Sequence, residues 1–344
     1  MPRLAIIGLG LIGGSLGLAL KRAQLQDLEI VGHDAEWGVN RRARKLGAID
    51  REARSVTEAA EGTAIVIIAT PILHVATVLE ELAPVLAEGA LVTDTASTKR
   101  DVMRWASELL PETVNFVGGH PIAGKEQSGL EAADAALFEG QPWAISASSG
   151  ASEQAVRTVE NLVVAVGAHP VAIDPEEHDA YLAAVSHLPL LAATALFSLV
   201  SGSQAWPELA ALAGPGFRDT TRLAATNPDL SHDLSLTNRD NLLHWLDRFG
   251  EELARFRRLI EDSKEQEELL RTFAKAQAAR DAFTHGLPER PDKDSEVDKV
   301  SAGERMLSFM VGDYVIRRTK ELEEILRRRE AAEGDEPRRN LEKK

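Results

Sequence analysis

The stretch "IIGLGLIGGS", residues 6–15, constrains this chain more than any other. Gly8, Gly10 and Gly13 stand in a G-x-G-x-x-G spacing, with Leu11 and Ile12 between the last two. A β-branched run, "RLAIIG" (3–8), leads into it, and a helical stretch, "SLGLALKRA" (15–23), leads out. In such a strand–turn–helix unit the first glycine permits the tight turn. The second lets backbone reach a pyrophosphate, and the third lets helix and strand pack closely. The helix N-terminus then faces the phosphates. A packing turn with no nucleotide is the alternative for the bare motif; the strand before it and the helix after it favour the nucleotide.

A second strand, "LEIVGHD" (28–34), ends in Asp34, 21 residues after Gly13. A carboxylate there accepts hydrogen bonds from the adenosine ribose hydroxyls and repels a 2′-phosphate. Glu36 adds negative charge, while Arg41 and Arg42 lie close by in sequence. The balance favours NAD over NADP. "ATP" at 69–71 closes a third strand, which brings Thr70 and Pro71 near the cofactor's ribose and nicotinamide.

The alternation continues. "AIVIIATP" (64–71), "ALVTDT" (90–95), "TVNFVGGH" (113–120), "WAISAS" (143–148) and "HPVAID" (169–174) read as strands. "HVATVLEELAPVL" (74–86) and "SEQAVRTVENLVVAVG" (152–167) read as helices between them. Strands alternating with helices predict crossover units, hence a doubly wound, largely parallel α/β sheet of the Rossmann type over residues 1–173.

Past Asp174 the pattern turns helical. "EEHDAYLAAVSHLPLLAATALFSLVSG" (176–202) is apolar on more than one face, which suggests burial between helices or subunits, and Pro189 should kink it. Residues 238–262 and 263–283 show helical spacing of apolar residues. An all-α domain over 174–286 is expected, then a charged linker and a helical tail over 287–344.

A net charge of −15 argues against a nucleic-acid partner. The absence of cysteine removes disulfides, thiolate zinc sites and cysteine nucleophiles. No metal site is expected. No apolar run approaches the roughly 18 residues of a membrane span. The expectation is a cytoplasmic protein with no membrane partner.

"GGHPIAGKEQSGL" (118–130) pins His120 between glycines and a proline. It follows a strand at the expected carboxyl edge of the sheet, where ligands bind. "DTASTK" (94–99) offers Ser97 and Lys99 at the same edge. A lone histidine is more often a satisfied structural residue than a catalyst. "GPGFRDTTRLAATNPDL" (214–230) holds Arg218, Asp219 and Arg222, read either as a solvated charge cluster or as an anion clamp. His187 in "AVSHLP" (184–189) is either a core histidine with a partner or a pocket residue.

Together these stretches resemble the prephenate dehydrogenase family, with its arogenate and cyclohexadienyl relatives. "GLGLIGGSLGLALK", "DTASTK", "GGHPIAGKEQSG", "SHLP" and "GFRDTTRLA" occur in the family's order, over about residues 3–285. The resemblance implies a Rossmann domain, an all-α dimerisation domain and a homodimer. It implies NAD-dependent oxidative decarboxylation of prephenate to 4-hydroxyphenylpyruvate, on the way to tyrosine. His120 then matches the histidine that takes the ring-hydroxyl proton, and Ser97 the serine that holds that hydroxyl. Arg222 matches the arginine on a substrate carboxylate. Glu126 and Asp179 match acidic residues at the pocket mouth, and His187 lies on the pocket-lining helix. Two positions depart from the family: Leu190 replaces a frequent second histidine, and Pro215 makes "GPGF" of the usual "GGGF". Both bear on the choice between prephenate and arogenate, which would give tyrosine directly.

Two other readings compete. A 3-hydroxyacid dehydrogenase would use a lysine in the helical domain, yet none lies between Val171 and Ile260. A non-catalytic NAD sensor would bind NAD and form no NADH with any cyclohexadienyl acid.

Overall fold

The computed structural model describes residues 3–23, 28–125 and 127–286. Glu126 and the expected linker and tail at 287–344 lie outside the described residues. Eight strands form one sheet: β1 (Arg3–Ile7), β2 (Glu29–His33), β3 (Arg51–Glu52), β4 (Ile65–Ile68), β5 (Leu91–Asp94), β6 (Asn115–Pro121), β7 (Pro142–Ala147) and β8 (His169–Ala172). Their spatial order is β3-β2-β1-β4-β5-β6-β7-β8. Every pairing is parallel except β6 with β7. The order reverses between β1 and β4, and the crevice beyond the carboxyl ends at such a point is where this architecture binds ligands.

The helices of this part are α1 (Leu11–Arg22), α2 (Trp37–Leu46), α3 (Val56–Ala60), α4 (Val75–Leu82), α5 (Arg100–Leu109) and α6 (Glu153–Ala165). Successive residues of a strand face opposite layers. Leu4 and Ile6 of β1 accordingly pack with Leu16 and Leu20 of α1 and Val159 and Val163 of α6. Ala5 and Ile7 pack with Val56 of α3, Leu79 of α4 and Val102 of α5. Strands covered on both faces read as unbroken apolar runs, which is why these segments were legible.

The helical half continues with α7 (Pro175–Leu182), α8 (Leu188–Ser201), α9 (Trp206–Ala211), α10 (Pro215–Thr221), α11 (Pro228–Thr237), α12 (Arg239–Glu261) and α13 (Gln266–His285). Leu190 of α8 and Leu234 of α11 join the core on the α3–α5 side of the sheet. That shared core carries the first compact unit past residue 173, as far as Arg248. The second unit begins at Phe249, and in it Phe256 of α12 packs on Phe273 of α13, with ring centroids 5.6 Å apart.

Between α7 and α8 runs a π-helical turn, Ala183–His187. Pro189 has no amide hydrogen, and its ring would collide with the carbonyl four residues back in an α-helix. Widening the turn before it accommodates both, so the proline is absorbed by a π turn. The whole run Pro175–Ser201 is one helical segment of 27 residues whose length and hydropathy match a membrane span. This corrects the sequence expectation that no run comes close. The segment also carries buried His178, Asp179 and His187, and its apolar faces include exposed Val185, Phe197 and Leu199.

Candidate active site

Gly8 has φ +93°, a left-handed value, and a Cβ there would lie 2.6 Å from the Ala69 carbonyl oxygen. A Cβ on Gly13 would lie 1.9 Å from the Gly8 oxygen. Gly10 is the contrast: nothing stands within 4 Å of its would-be Cβ. It precedes α1, whose N-terminus has no side-chain cap. An uncapped helix end beside open backbone makes a cradle for a pyrophosphate, so these residues fit NAD.

Asp34 leans over this turn. Its Oδ2 accepts from Leu9 N at 2.8 Å and its Oδ1 from Glu36 N at 2.9 Å. Arg42, the cation that could have welcomed a 2′-phosphate, faces two carboxylates, Glu36 at 3.5 Å and Glu131 at 3.1 Å. Thr70 follows β4, and its hydroxyl is buried with no hydrogen-bond partner. Pro71 starts the next turn, where Leu73 N donates to Asp233 Oδ2 at 3.2 Å.

His120 is the sixth residue of β6 and pairs with Ala144 of β7. It therefore stands within the strand and does not merely follow it. Neither flanking glycine has positive φ. They serve close packing instead: a Cβ on Gly118 would meet the Met103 sulfur at 2.8 Å, and one on Gly119 the Asp94 oxygen at 2.6 Å.

His120 is buried, 9% exposed as a residue. Its Nδ1 lies 2.9 Å from Nε2 of His178, whose own Nδ1 lies 2.8 Å from Oδ1 of Asp179. A carboxylate only accepts, so His178 carries its proton on Nδ1. With His178 neutral, its Nε2 is a lone pair, and His120 must donate to it from Nδ1. Nε2 of His120 is then left as the basic nitrogen. Burial, with help from His178, Lys99 and His187, holds the pKa of His120 well below 6.5. The imidazole is neutral at physiological pH.

Asp179, expected at the pocket mouth, is fully buried. Its Oδ1 also accepts from Lys99 N at 2.7 Å, and its Oδ2 from Arg100 N at 3.0 Å. It caps α5 and orients His178, and both of its oxygens are occupied; an anion at a helix N-terminus is well placed. Lys99 is itself wholly buried, with Nζ 2.5 Å from Asp94 Oδ2, while Asp94 Oδ1 accepts from Gly119 N at 3.1 Å. The ion pair thus holds the strand backbone just before His120.

Ser97 lies between β5 and α5, its hydroxyl buried and without a partner. His187 ends the π turn, 1% exposed, with its Nδ1 3.1 Å from the amide of Asn238. Burial lowers its pKa to about 4 against the opposing pull of Asp179. The structure brings His120, Asp179 and His187 into one buried cluster. Arg222 is exposed, on the short turn Arg222–Ala225 that packs against α8. His178 and Asn238 escaped the sequence reading. The signal for His178 was its place beside Asp179, one turn into a helix capped by Asp174.

Residues 16–172 match the family model described as prephenate dehydrogenase, nucleotide-binding domain. Residues 174–275 match the one described as prephenate dehydrogenase, dimerization domain. The chain belongs to the prephenate dehydrogenase family. It is 36% identical to the prephenate dehydrogenase of Bacillus subtilis, over 88% of this chain and 85% of that one. It is 33% identical to the cyclohexadienyl dehydrogenase of Zymomonas mobilis, over 84% of this chain and 98% of that one. The crystal structure of prephenate dehydrogenase from A. aeolicus, in complex with hydroxyphenyl propionate and NAD+, superposes with a TM-score of 0.76. That match is 29% identical and covers 82% of this chain and 98% of the other. As a family member the chain is an NAD-dependent oxidoreductase with a Rossmann-type domain and a dimerisation domain.

Proposed function

We propose that the chain catalyses NAD-dependent oxidative decarboxylation of prephenate to 4-hydroxyphenylpyruvate, with His120 as the base. The observation that carries this reading is the His120 imidazole: buried, neutral, and tied through Nδ1 so that Nε2 is the basic nitrogen.

Bound NAD+ supplies the hydride acceptor. As hydride leaves the hydroxyl-bearing ring carbon, the oxygen must shed its proton, and His120 Nε2 takes it. The new carbonyl draws the electron pair of the ring C–CO2− bond into the ring, and carbon dioxide departs. The ring becomes aromatic, and His120 returns its proton to the phenolate oxygen. Atoms and charge balance with no metal. During the step His178, held through its Nδ1 by Asp179, accepts from His120 Nδ1, so the transient imidazolium faces an oriented acceptor. Ser97 holds the substrate hydroxyl. Arg222 takes a substrate carboxylate, for which a guanidinium fork is well matched. Gly8, Gly10 and Gly13 cradle the pyrophosphate and Asp34 the adenosine ribose, with Thr70 and Pro71 toward the nicotinamide. Glu126 is assigned to the pocket mouth by family resemblance alone. The protein works in the cytoplasm as a homodimer, with the exposed apolar faces of α8 in the subunit interface.

Arogenate differs only in carrying an alanyl side chain and passes through the same chemistry. Leu190 and Pro215 are the positions that bear on this choice. The deciding experiment follows NADH formation by purified protein with prephenate and with arogenate, each with NAD+ and with NADP+. Turnover of prephenate with NAD+ is expected. Faster turnover of arogenate would reassign the substrate, and no turnover of either would leave an NAD-binding protein without this chemistry.

A further inference from the structure

Asn238 sits between α11 and α12, 1% exposed, and its amide is fully committed. Its Nδ2 lies 2.7 Å from the carbonyl oxygen of Asp179, and its Oδ1 lies 2.9 Å from Nδ2 of Asn241. A carbonyl can only accept, so the atom facing Asp179 O is the nitrogen and the amide orientation is not in question. The same NH2 group meets Nδ1 of His187 at 3.1 Å. That nitrogen must therefore be a lone pair. In the neutral ring the proton then sits on Nε2.

Nε2 of His187 is buried and has no hydrogen-bond partner. A buried donor left unpaired is costly, and native structures rarely carry one without a use. The ring is delivered there by the π turn Ala183–His187, an irregularity that recurs at functional sites. Its neighbours are the reacting cluster: Asp179 and His178 of α7 act on it electrostatically, and it acts on His120 of β6.

We propose that His187 presents a fixed, neutral Nε2–H to an oxygen of the bound cyclohexadienyl substrate, and that Asn238 is the positioning residue that sets this tautomer. The arrangement divides the proton work. His120 offers a lone pair and takes a proton, while His187 offers a proton it does not give up. Protonation of His187 would turn Nδ1–H against the Asn238 amide, so the donor stays neutral across the working range. The inference rests on the dehydrogenase reading above.

Two experiments test it. In full-length protein carrying 15N-labelled histidine, the His187 signal, assigned by its loss in His187→Gln, should show Nε2 protonated and Nδ1 not. Addition of NAD+ and hydroxyphenylpropionate should shift the Nε2–H resonance. A proton on Nδ1, or an Nε2–H indifferent to that probe, overturns the proposal. The second experiment is the pH profile of Asn238→Asp. The new carboxylate accepts from His187 Nδ1 and pulls the proton across, so KM for prephenate should rise roughly tenfold at alkaline pH. Because a carboxylate neighbour also favours the imidazolium, which donates from both nitrogens, KM should recover as pH falls. A variant-to-parent KM ratio that is flat with pH would make Asn238 merely structural. Should parent protein turn over neither prephenate nor arogenate, the dehydrogenase reading fails instead; the tautomer measurement needs no turnover and separates the two failures.

Discussion

Nδ1 of His120 lies 2.9 Å from Nε2 of His178, across the seam between strand β6 and helix α7. One contact therefore does two things. It fixes which nitrogen of His120 is basic, and it ties the nucleotide-binding sheet to the first helix of the second half. His178→Leu should leave the His120 Nδ1–H buried without an acceptor, at a cost of about 1–3 kcal/mol. We expect kcat to fall by roughly ten- to a hundred-fold with KM for NAD+ little changed. His178→Gln, whose side-chain oxygen still accepts, should recover part of that loss. Equal damage from Leu and Gln would mean that the ring's bulk, and not its lone pair, matters.

Asp179→Asn should act on stability and kcat and leave KM for substrate near normal. The new amide cannot accept from Lys99 N, Arg100 N and His178 together, and one of its ends would set donor against donor. Losing a helix cap and charge-assisted bonds costs about 2–4 kcal/mol. Denaturant unfolding and steady-state kinetics check this. A steep rise in KM with unchanged stability would return Asp179 to the substrate pocket.

The strands and the glycine turn were legible in the sequence because their causes are local. A buried parallel strand needs an apolar run, and Gly8 and Gly13 are demanded by backbone approaches at fixed spacing. Asp179 was misjudged because its partners come from 80 residues away, at the start of α5. Local sequence shows an acidic residue near a helix start; only the fold shows two backbone amides waiting for it. The antiparallel placing of β7 was likewise hidden, since "WAISAS" is as apolar as its parallel neighbours. His178 and Asn238 were passed over because their meaning lies in contacts spanning roughly sixty residues and not in spacing.

Cofactor choice follows from Asp34 and Arg42. The carboxylate stands at the end of β2, and the arginine is held by Glu36 and Glu131. NAD+ should exceed NADP+ in kcat/KM, and Asp34→Ala should narrow the gap chiefly by weakening NAD+. Equal efficiency with both cofactors in the unmutated protein would refute the assignment.

Arg222→Ala should raise KM for prephenate by roughly ten- to a hundred-fold, the usual loss for a charge-assisted contact of about 1.5–3 kcal/mol. Affinity for NAD+ should stay nearly constant, as measured by fluorescence titration. A parallel loss of NAD+ binding would make the residue structural.

His120→Asn is the decisive variant. Asparagine keeps similar size and can still donate to His178, so the fold and NAD+ binding should survive. It cannot take a proton, and a general base typically contributes roughly 10²–10⁴-fold, so kcat should fall by that factor. The pH profile adds a second readout. The base works when neutral, and burial lowers the pKa of His120 well below 6.5. The kcat of the parent should therefore hold through pH 6.5, the ordinary histidine value, and fall only at more acid pH. The Asn variant should lack that limb. Stability follows the same sign. The unfolded chain binds protons below about 6.5, while folded His187 resists until about 4 and folded His120 also stays neutral below 6.5. Unfolding free energy should be full above pH 6.5 and decline between there and about 4. The acid limb of kcat must therefore be read from initial rates on protein shown by circular dichroism to be folded. If the Asn variant keeps near-normal kcat and the same limb, the base lies elsewhere than His120.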